Sequence, residues 1–185
     1  MKYVPWILGL IWLGIRVSLH YLMKDSNSDG ARSAGVMTNL LFLIFIIFSV
    51  LSKLYKERRK GATSTFFGDF KTVLKENLKY CVAAGIGIAI FYNFVSTELL
   101  DRRQRDIQAT IEALDTEEEL NKVRSENIQL KNLSREEIIS AANSRTEIFT
   151  NPKIVSSGSF LVLVFVSLIY TLFAVLLFRY FLKMK

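Results

Sequence analysis

Between Lys153 and Arg179 the chain runs for twenty-five residues without a formal charge, IVSSGSFLVLVFVSLIYTLFAVLLF. About 20 apolar residues suffice to carry a helix across a hydrocarbon core of about 30 Å. In that core every backbone amide must be paired inside the segment, so a helix is what such a run has to become. The rest of the chain must fold around at least one transmembrane helix. Two further uncharged runs lie upstream, SAGVMTNLLFLIFIIFSVLS at 33–52 and the shorter YCVAAGIGIAIFYNFVST at 80–97. Residues 3–23 are long enough for a fourth span, provided Arg16 is tolerated within it. A hydrophobic fraction of 51% over 185 residues, with mean hydropathy +0.29, lies above the range of soluble domains.

The sequence therefore predicts an all-α fold, an integral membrane four-helix bundle with an extracytoplasmic helical insertion between the third and fourth transmembrane helices. Spans one to three are expected at about 3–23, 33–54 and 78–98, with a basic cytoplasmic loop at 55–77. The insertion occupies 99–153, and the fourth span with its tail occupies 154–185. Lys2 ahead of an apolar run resembles the start of a secretory signal, but Arg16 interrupts the run and no small-residue cleavage site follows, which favours a retained first span. Cys81, the single cysteine, falls inside span three, so no intrachain disulfide is available.

Four spans place both termini on one side, and the short loops decide which side. Residues 53–76 carry Lys53, Lys56, Arg58, Arg59, Lys60, Lys71 and Lys75 against Glu57, Asp69 and Glu76. The C-terminus adds Arg179, Lys183 and Lys185, whereas the first loop, KDSNSDGAR, is balanced. Both ends and the basic segment are thus expected to face the cytoplasm of a bacterium, in a multi-pass inner (plasma) membrane protein. Residues 99–153 carry nine Lys/Arg against eleven Asp/Glu, a balance compatible with translocation. The run KLYKERRKG also offers Lys56, Arg58, Arg59 and Lys60 as contacts for anionic lipid head groups, each worth about 1 kcal/mol near the surface. Topogenesis alone is the plainer role for the same residues.

The segment from 99 to 150 has neither glycine nor proline and is rich in Glu, Gln, Leu, Arg and Lys, so it reads as helix. Ile107, Ile111 and Leu114 follow i, i+4, i+7 spacing and define an apolar stripe. That stripe is expected to pack on Leu120, Val123 and Ile138 in a helical hairpin, or to serve as a docking face for another protein. Thr116 with Glu119, and Ser134 with Glu137, have the form of capping boxes that start helices. Asn151-Pro152 breaks the chain before the last span. No breaker separates span three from Arg102, so its helix is expected to continue out of the membrane toward Leu114.

Chemistry-bearing patterns are absent from the sequence. No phosphate-binding glycine loop, metal-ligand set or nucleophile–base pair stands at recognisable spacing, so no cofactor, no metal and no enzymatic activity are expected. The densest basic patch abuts a span and lacks stacking aromatics on a soluble module, which sets nucleic acid aside. Tyr3, Trp6, Tyr21, Tyr55, Tyr80 and Tyr180 are placed as interfacial belt residues. Gly85 and Gly87, with Ala83 and Ala84, form a small-residue patch where another helix can approach closely.

Polar residues inside the spans carry the remaining information. At 1.5 Å per residue, Arg16, His20, Asn39, Asn93 and Glu98 all fall in the outer half of the bilayer and are expected to converge on one intramembrane polar cluster. The Cα–Cβ bond of Arg16 tilts inward, away from the nearer surface, which disfavours snorkelling. An intramembrane charge either fixes helix register or forms a ligand or proton site.

The lead-in FFGDFKTVLKENLKY, the exit FYNFVSTELLDRR, the SREEI segment and Asn151-Pro152 shortly before the last span resemble the bacterial membrane family grouped as domain of unknown function 4199. The resemblance covers most of the chain. It implies a four-helix inner-membrane fold with an extracytoplasmic insertion and brings no catalytic residue. On all these grounds the expected function is that of a non-enzymatic accessory or scaffold subunit. Its partners would be the lipid bilayer and another membrane or periplasmic protein, or a second copy of itself. The alternative is a small transporter or channel component using the cluster around Arg16 and Glu98. A membrane enzyme ranks third, for want of paired carboxylates or a histidine cluster.

Overall fold

A computed structural model of the chain describes residues 3–23, 28–112, 121, 125 and 132–181. All regular structure in them is helical: α1 (Val4–Leu22), α2 (Ser28–Arg59), α3 (Phe66–Ile90), a π-helical turn (Phe91–Val95), α4 (Thr97–Glu112), α5 (Arg135–Thr150) and α6 (Pro152–Phe181). Four stretches, Val4–Leu22, Ser33–Arg59, Phe66–Val95 and Pro152–Phe181, are long and apolar enough to cross a membrane by length and composition. That is the pattern of a multi-pass membrane protein. The chain divides into two compact units, one formed by Met1–Phe91 with Ser156–Lys185 and one by Tyr92–Val155.

In the first unit each helix buries one face, and the buried positions recur every three or four residues as helical geometry requires. On α1 they are Pro5, Gly9, Trp12, Arg16 and His20. Arg16 and His20 thus continue the same stripe as Gly9 and Trp12. On α2 the face is Asn39, Leu43, Ile47, Val50 and Leu54, and on α3 it is Asp69, Val73, Asn77, Cys81, Ala84 and Ile88. On α6 it is Leu163, Ser167, Thr171 and Val175. The opposite faces show Leu41, Phe45 and Phe48 of α2 and Leu161, Phe165 and Phe173 of α6, as helices facing lipid do.

Close approach depends on small residues. A Cβ built on Gly9 would stand 2.5 Å from the Ala83 Cβ, and one on Gly85 would stand 2.5 Å from the Phe160 ring. One on Gly87 would meet Trp12 at 3.3 Å. The small-residue patch of span three therefore seats α1 through Ala83 and Gly87, and α6 through Gly85.

The basic segment expected as a loop over 55–77 is instead helical at both ends. α2 continues to Arg59 and α3 begins at Phe66, leaving residues 60–65 as the connection. Hydropathy finds where the apolar window ends, not where the helix ends, and Lys, Arg and Glu are themselves good helix formers. The turn after α2 follows the Schellman pattern: Gly61 has φ +91°, its N–H donates to the Arg58 carbonyl at 2.9 Å, and the Ala62 N–H donates to the Glu57 carbonyl at 3.2 Å. Thr65 then caps α3, its hydroxyl accepting from the Gly68 N–H at 3.1 Å.

In the second unit α4 packs on α5. The Ser134 capping box forms as its spacing requires: the Glu137 carboxylate accepts from the Ser134 N–H at 2.8 Å, and the Ser134 hydroxyl accepts from the Glu137 N–H at 3.2 Å. The corresponding Thr116–Glu119 pair lies outside the described residues. Asn151 ends the helical run, its side chain accepting from the Lys153 N–H at 3.0 Å, with Pro152 at the first position of α6. Beyond span three the helix passes through the π turn and a bend at Ser96 before α4, so it is not the uninterrupted rod the sequence suggests.

Candidate functional site

The densest polar constellation surrounds Asp69, in the first turns of α3. Its carboxylate is fully buried and accepts from two guanidiniums. Arg58 Nη2 lies 2.9 Å from Oδ1 and 2.7 Å from Oδ2, and Arg179 Nη1 lies 2.8 Å from Oδ2. The Ser64 hydroxyl donates to Oδ1. Both arginines also donate to the Ser64 carbonyl, each at 3.2 Å. One carboxylate thus ties the C-terminal ends of α2 and α6 to the start of α3. The two arginine side chains keep only 15% and 11% of their exposure, so solvent screens these pairs weakly. Their geometry is set locally, because the Gly61 turn reverses the chain just after Arg58 and the Thr65 cap fixes where Asp69 emerges.

Three further hydrogen bonds from buried side chains of this unit bridge helices. Asn77 on α3 donates through Nδ2 to Thr171 Oγ1 on α6 at 2.9 Å, with both residues fully buried. Tyr80 on α3 donates its hydroxyl to Asn39 Oδ1 on α2. Trp12 on α1 donates its indole N–H to the Gly35 carbonyl on α2 at 2.9 Å. Without such partners each buried polar group would cost about 1–3 kcal/mol.

Arg16 and His20 meet at one ring. The Arg16 guanidinium carbon stands 4.6 Å from the centroid of Phe91, and the His20 imidazole is edge-on to the same ring at 5.7 Å. Arg16 crosses α2 at Gly35, where an added Cβ would lie 2.8 Å from the Arg16 Cδ. Arg16 and His20 are each 6% exposed, which places both within the bundle. Phe91 opens the π-helical turn, a rare device that occurs frequently at functional sites.

Of the residues expected to form the polar cluster, Arg16, His20 and Asn39 are all buried in the first unit. Arg16 and His20 come together on Phe91, whereas Asn39 is buried against Tyr80. Asn93, half-buried in the π turn, and Glu98, exposed on α4, belong to the second unit. Two placements need correction. Arg58, grouped with Lys56, Arg59 and Lys60 as a lipid contact, is turned onto Asp69 while the other three are exposed. Tyr80, placed in the interfacial belt, is fully buried, while Tyr3, Trp6, Tyr21, Tyr55 and Tyr180 are exposed. The sequence does not mark Asp69 and Arg179 as partners, because both stand among charges at the ends of spans. The available signal was spacing: Asp69 lies two and three turns before Asn77 and Cys81, on the buried stripe.

In the second unit Leu100 of α4 and Ile138 of α5 are buried, and the two helices pack together. Ile107 and Ile111 fall on α4, but their side chains, like Leu114, lie outside what the structure describes. Thr97, Leu100, Asp101, Gln104, Thr150, Asn151 and Pro152 line a shallow cleft of about 230 Å³. The Glu137 carboxyl is held below its ordinary range by the hydrogen bonds from Ser134. Among the described residues no three His, Cys, Asp or Glu side chains gather as metal ligands would. Comparison with known proteins finds no matching family model, no matching curated protein and no matching solved structure.

Proposed function

We propose that the protein is a non-enzymatic inner-membrane protein, an accessory or scaffold subunit that docks a partner, or a second copy of itself, through the helices between its third and fourth spans. One observation carries this reading. The buried polar side chains at Asp69, Asn77 and Tyr80 each bond to another helix of the bundle. Groups arranged in that way fix helix packing, and they leave recognition to the parts of the chain outside it. The Tyr92–Val155 unit offers exposed Asp101, Arg102, Arg105 and Asp106 on α4, and Ser140, Ser144 and the half-exposed Ile148 on α5. Both termini face the cytoplasm on this reading, with Lys56, Arg59 and Lys60 at the anionic inner leaflet, in keeping with the resemblance to domain of unknown function 4199.

The test is photo-cross-linking in intact cells from single positions Ser140, Ser144 and Ile148, with lipid-facing Phe165 as control. A discrete adduct of one size from the α5 positions, and none from Phe165, is expected. Uncross-linked monomer from every position would defeat the docking role. A second reading rests on Arg16 and His20 at the π turn, which suit an anion or proton site in a small transporter or channel component. Anion- or pH-driven flux in proteoliposomes, lost in Arg16→Leu, is its signature.

A further inference from the structure

The face of α3 that looks away from the other helices changes character along its length. Phe67, Lys71, Lys75, Leu78, Val82 and Ile86 are all exposed and recur every three or four residues, so they form one stripe. Its upper part is apolar, whereas its lower part carries two cations. The Asp69–Arg179 and Asn77–Thr171 bonds lie eight residues apart on both helices and fix an antiparallel register between α3 and α6. In that register Lys75 stands level with Phe173 and Lys71 with Leu177, both exposed and apolar as in a helix facing lipid. α1 runs parallel to α3, with Gly9 at Ala83 and Trp12 at Gly87, and it begins at Val4, level with Leu78. The flank of α3 below Leu78 is therefore open, and its two lysines sit within the apolar girth of the bundle, about 9 Å and 3 Å along the axis from Asp69.

A cation at such depth is costly unless it meets an anion or reaches the surface. The neighbouring carboxylates are already engaged: Asp69 by Arg58 and Arg179, and Glu76 by Lys79 at 2.6 Å. Lys71 and Lys75 have no ion-pair partner among the described residues. Their Cα–Cβ bonds tilt toward the N-terminus of α3, so both stems lean toward the Asp69 end of the bundle and its layer of head groups. The two side chains stay about one turn, or about 5.4 Å, apart, a gap that two hydrogen bonds of about 2.8 Å to different oxygens of one phosphate can span.

We infer that this stripe of α3 is a binding site for one anionic phospholipid, with its phosphate between the Lys71 and Lys75 ammoniums and its chains along Leu78, Val82 and Ile86. A zwitterionic head group would bring its own cation against two lysines that no carboxylate offsets, so net negative charge is the property selected. Phe67, one turn below Lys71, supplies the aromatic edge that membrane proteins place at head-group depth. The site is separate from Lys56, Arg59 and Lys60 around the end of α2. It goes beyond the docking role, and it holds whichever side of the membrane the Asp69 end faces.

Native mass spectrometry of the intact, detergent-solubilised protein tests the site, with phosphatidylglycerol and phosphatidylcholine of identical chains as probes. Wild type is expected to retain one phosphatidylglycerol about tenfold more tightly than phosphatidylcholine. Lys71→Gln with Lys75→Gln should bring that ratio to within about twofold, while Lys71→Arg with Lys75→Arg and the control Lys56→Gln with Lys60→Gln should keep it. Free glycerol phosphate, a head group without chains, should leave the adduct in place. Equal retention of the two lipids by wild type, a preference that survives in the Lys71→Gln, Lys75→Gln protein, an equal loss in the Lys56, Lys60 control, or displacement by glycerol phosphate would each overturn the assignment.

Discussion

Asp69 is the residue on which the membrane unit most depends. Removing its charge leaves the half-buried Arg58 and Arg179 without the carboxylate they share, and breaking a buried pair in this way costs about 3–5 kcal/mol. Asp69→Asn is expected to lower stability by about that amount in an unfolding titration of the detergent-solubilised protein. Replacing Asp69, Arg58 and Arg179 together by leucine should recover most of the loss, since no charge is then left uncompensated. Glu137 makes a prediction of opposite exposure. Its pKa lies below that of an ordinary glutamate because the Ser134 N–H and hydroxyl hydrogen-bond the ionised form. A depressed carboxylate stabilises the fold above its unfolded pKa and loses that contribution as pH falls through the folded one. The Ser134 amide resonance should therefore titrate with a midpoint below that of an ordinary glutamate, and Glu137→Gln, which keeps a capping side chain, should abolish the titration. Of these residues the sequence disclosed Glu137, through its spacing to Ser134. It disclosed Arg16 and His20 because a cation stands out in an apolar run. Asp69 was hidden for the converse reason: amid lysines at a span's end, one acid looks like part of a charge balance.

Among the helices, the α1–α3 contact rests on backbone proximity at Gly9. A methyl there would press on the Ala83 Cβ at 2.5 Å and on its carbonyl carbon at 3.0 Å, so a helix rather than a side-chain tip must move. Gly9→Ala should cost about 1–3 kcal/mol by overpacking. Gly14, with nothing within 4 Å of an added Cβ, should accept alanine within about 0.5 kcal/mol. Comparative melting of the two variants checks the pair. The partners of Gly85 and Gly87 were readable only as a tendency, because small residues announce that a helix comes close without saying which one. The extension of α2 and α3 toward each other escaped the hydropathy reading because charged residues continue a helix past the apolar window. The π turn left no sequence trace, since it replaces neither a glycine nor a proline.

For the molecule as a whole, four spans were legible because transfer energies add along a segment, so a sum over about twenty residues is robust to any single Arg16. Side-chain partners are set by register between distant segments, and no such sum reports them. The proposed orientation is checked by reporter fusions. A periplasmic alkaline phosphatase should be active when joined after residue 144 and inactive after residue 62 or 181, and the reverse pattern would invert the topology. The central claim is that the bundle's buried charges serve to hold its helices, α6 above all. A double-mutant cycle across Asp69 and Arg179, with Asp69→Asn, Arg179→Gln and both together followed by unfolding in lipid-like detergent, measures that most directly. A favourable coupling of about 1–3 kcal/mol is the predicted result, and a coupling indistinguishable from zero would contradict it.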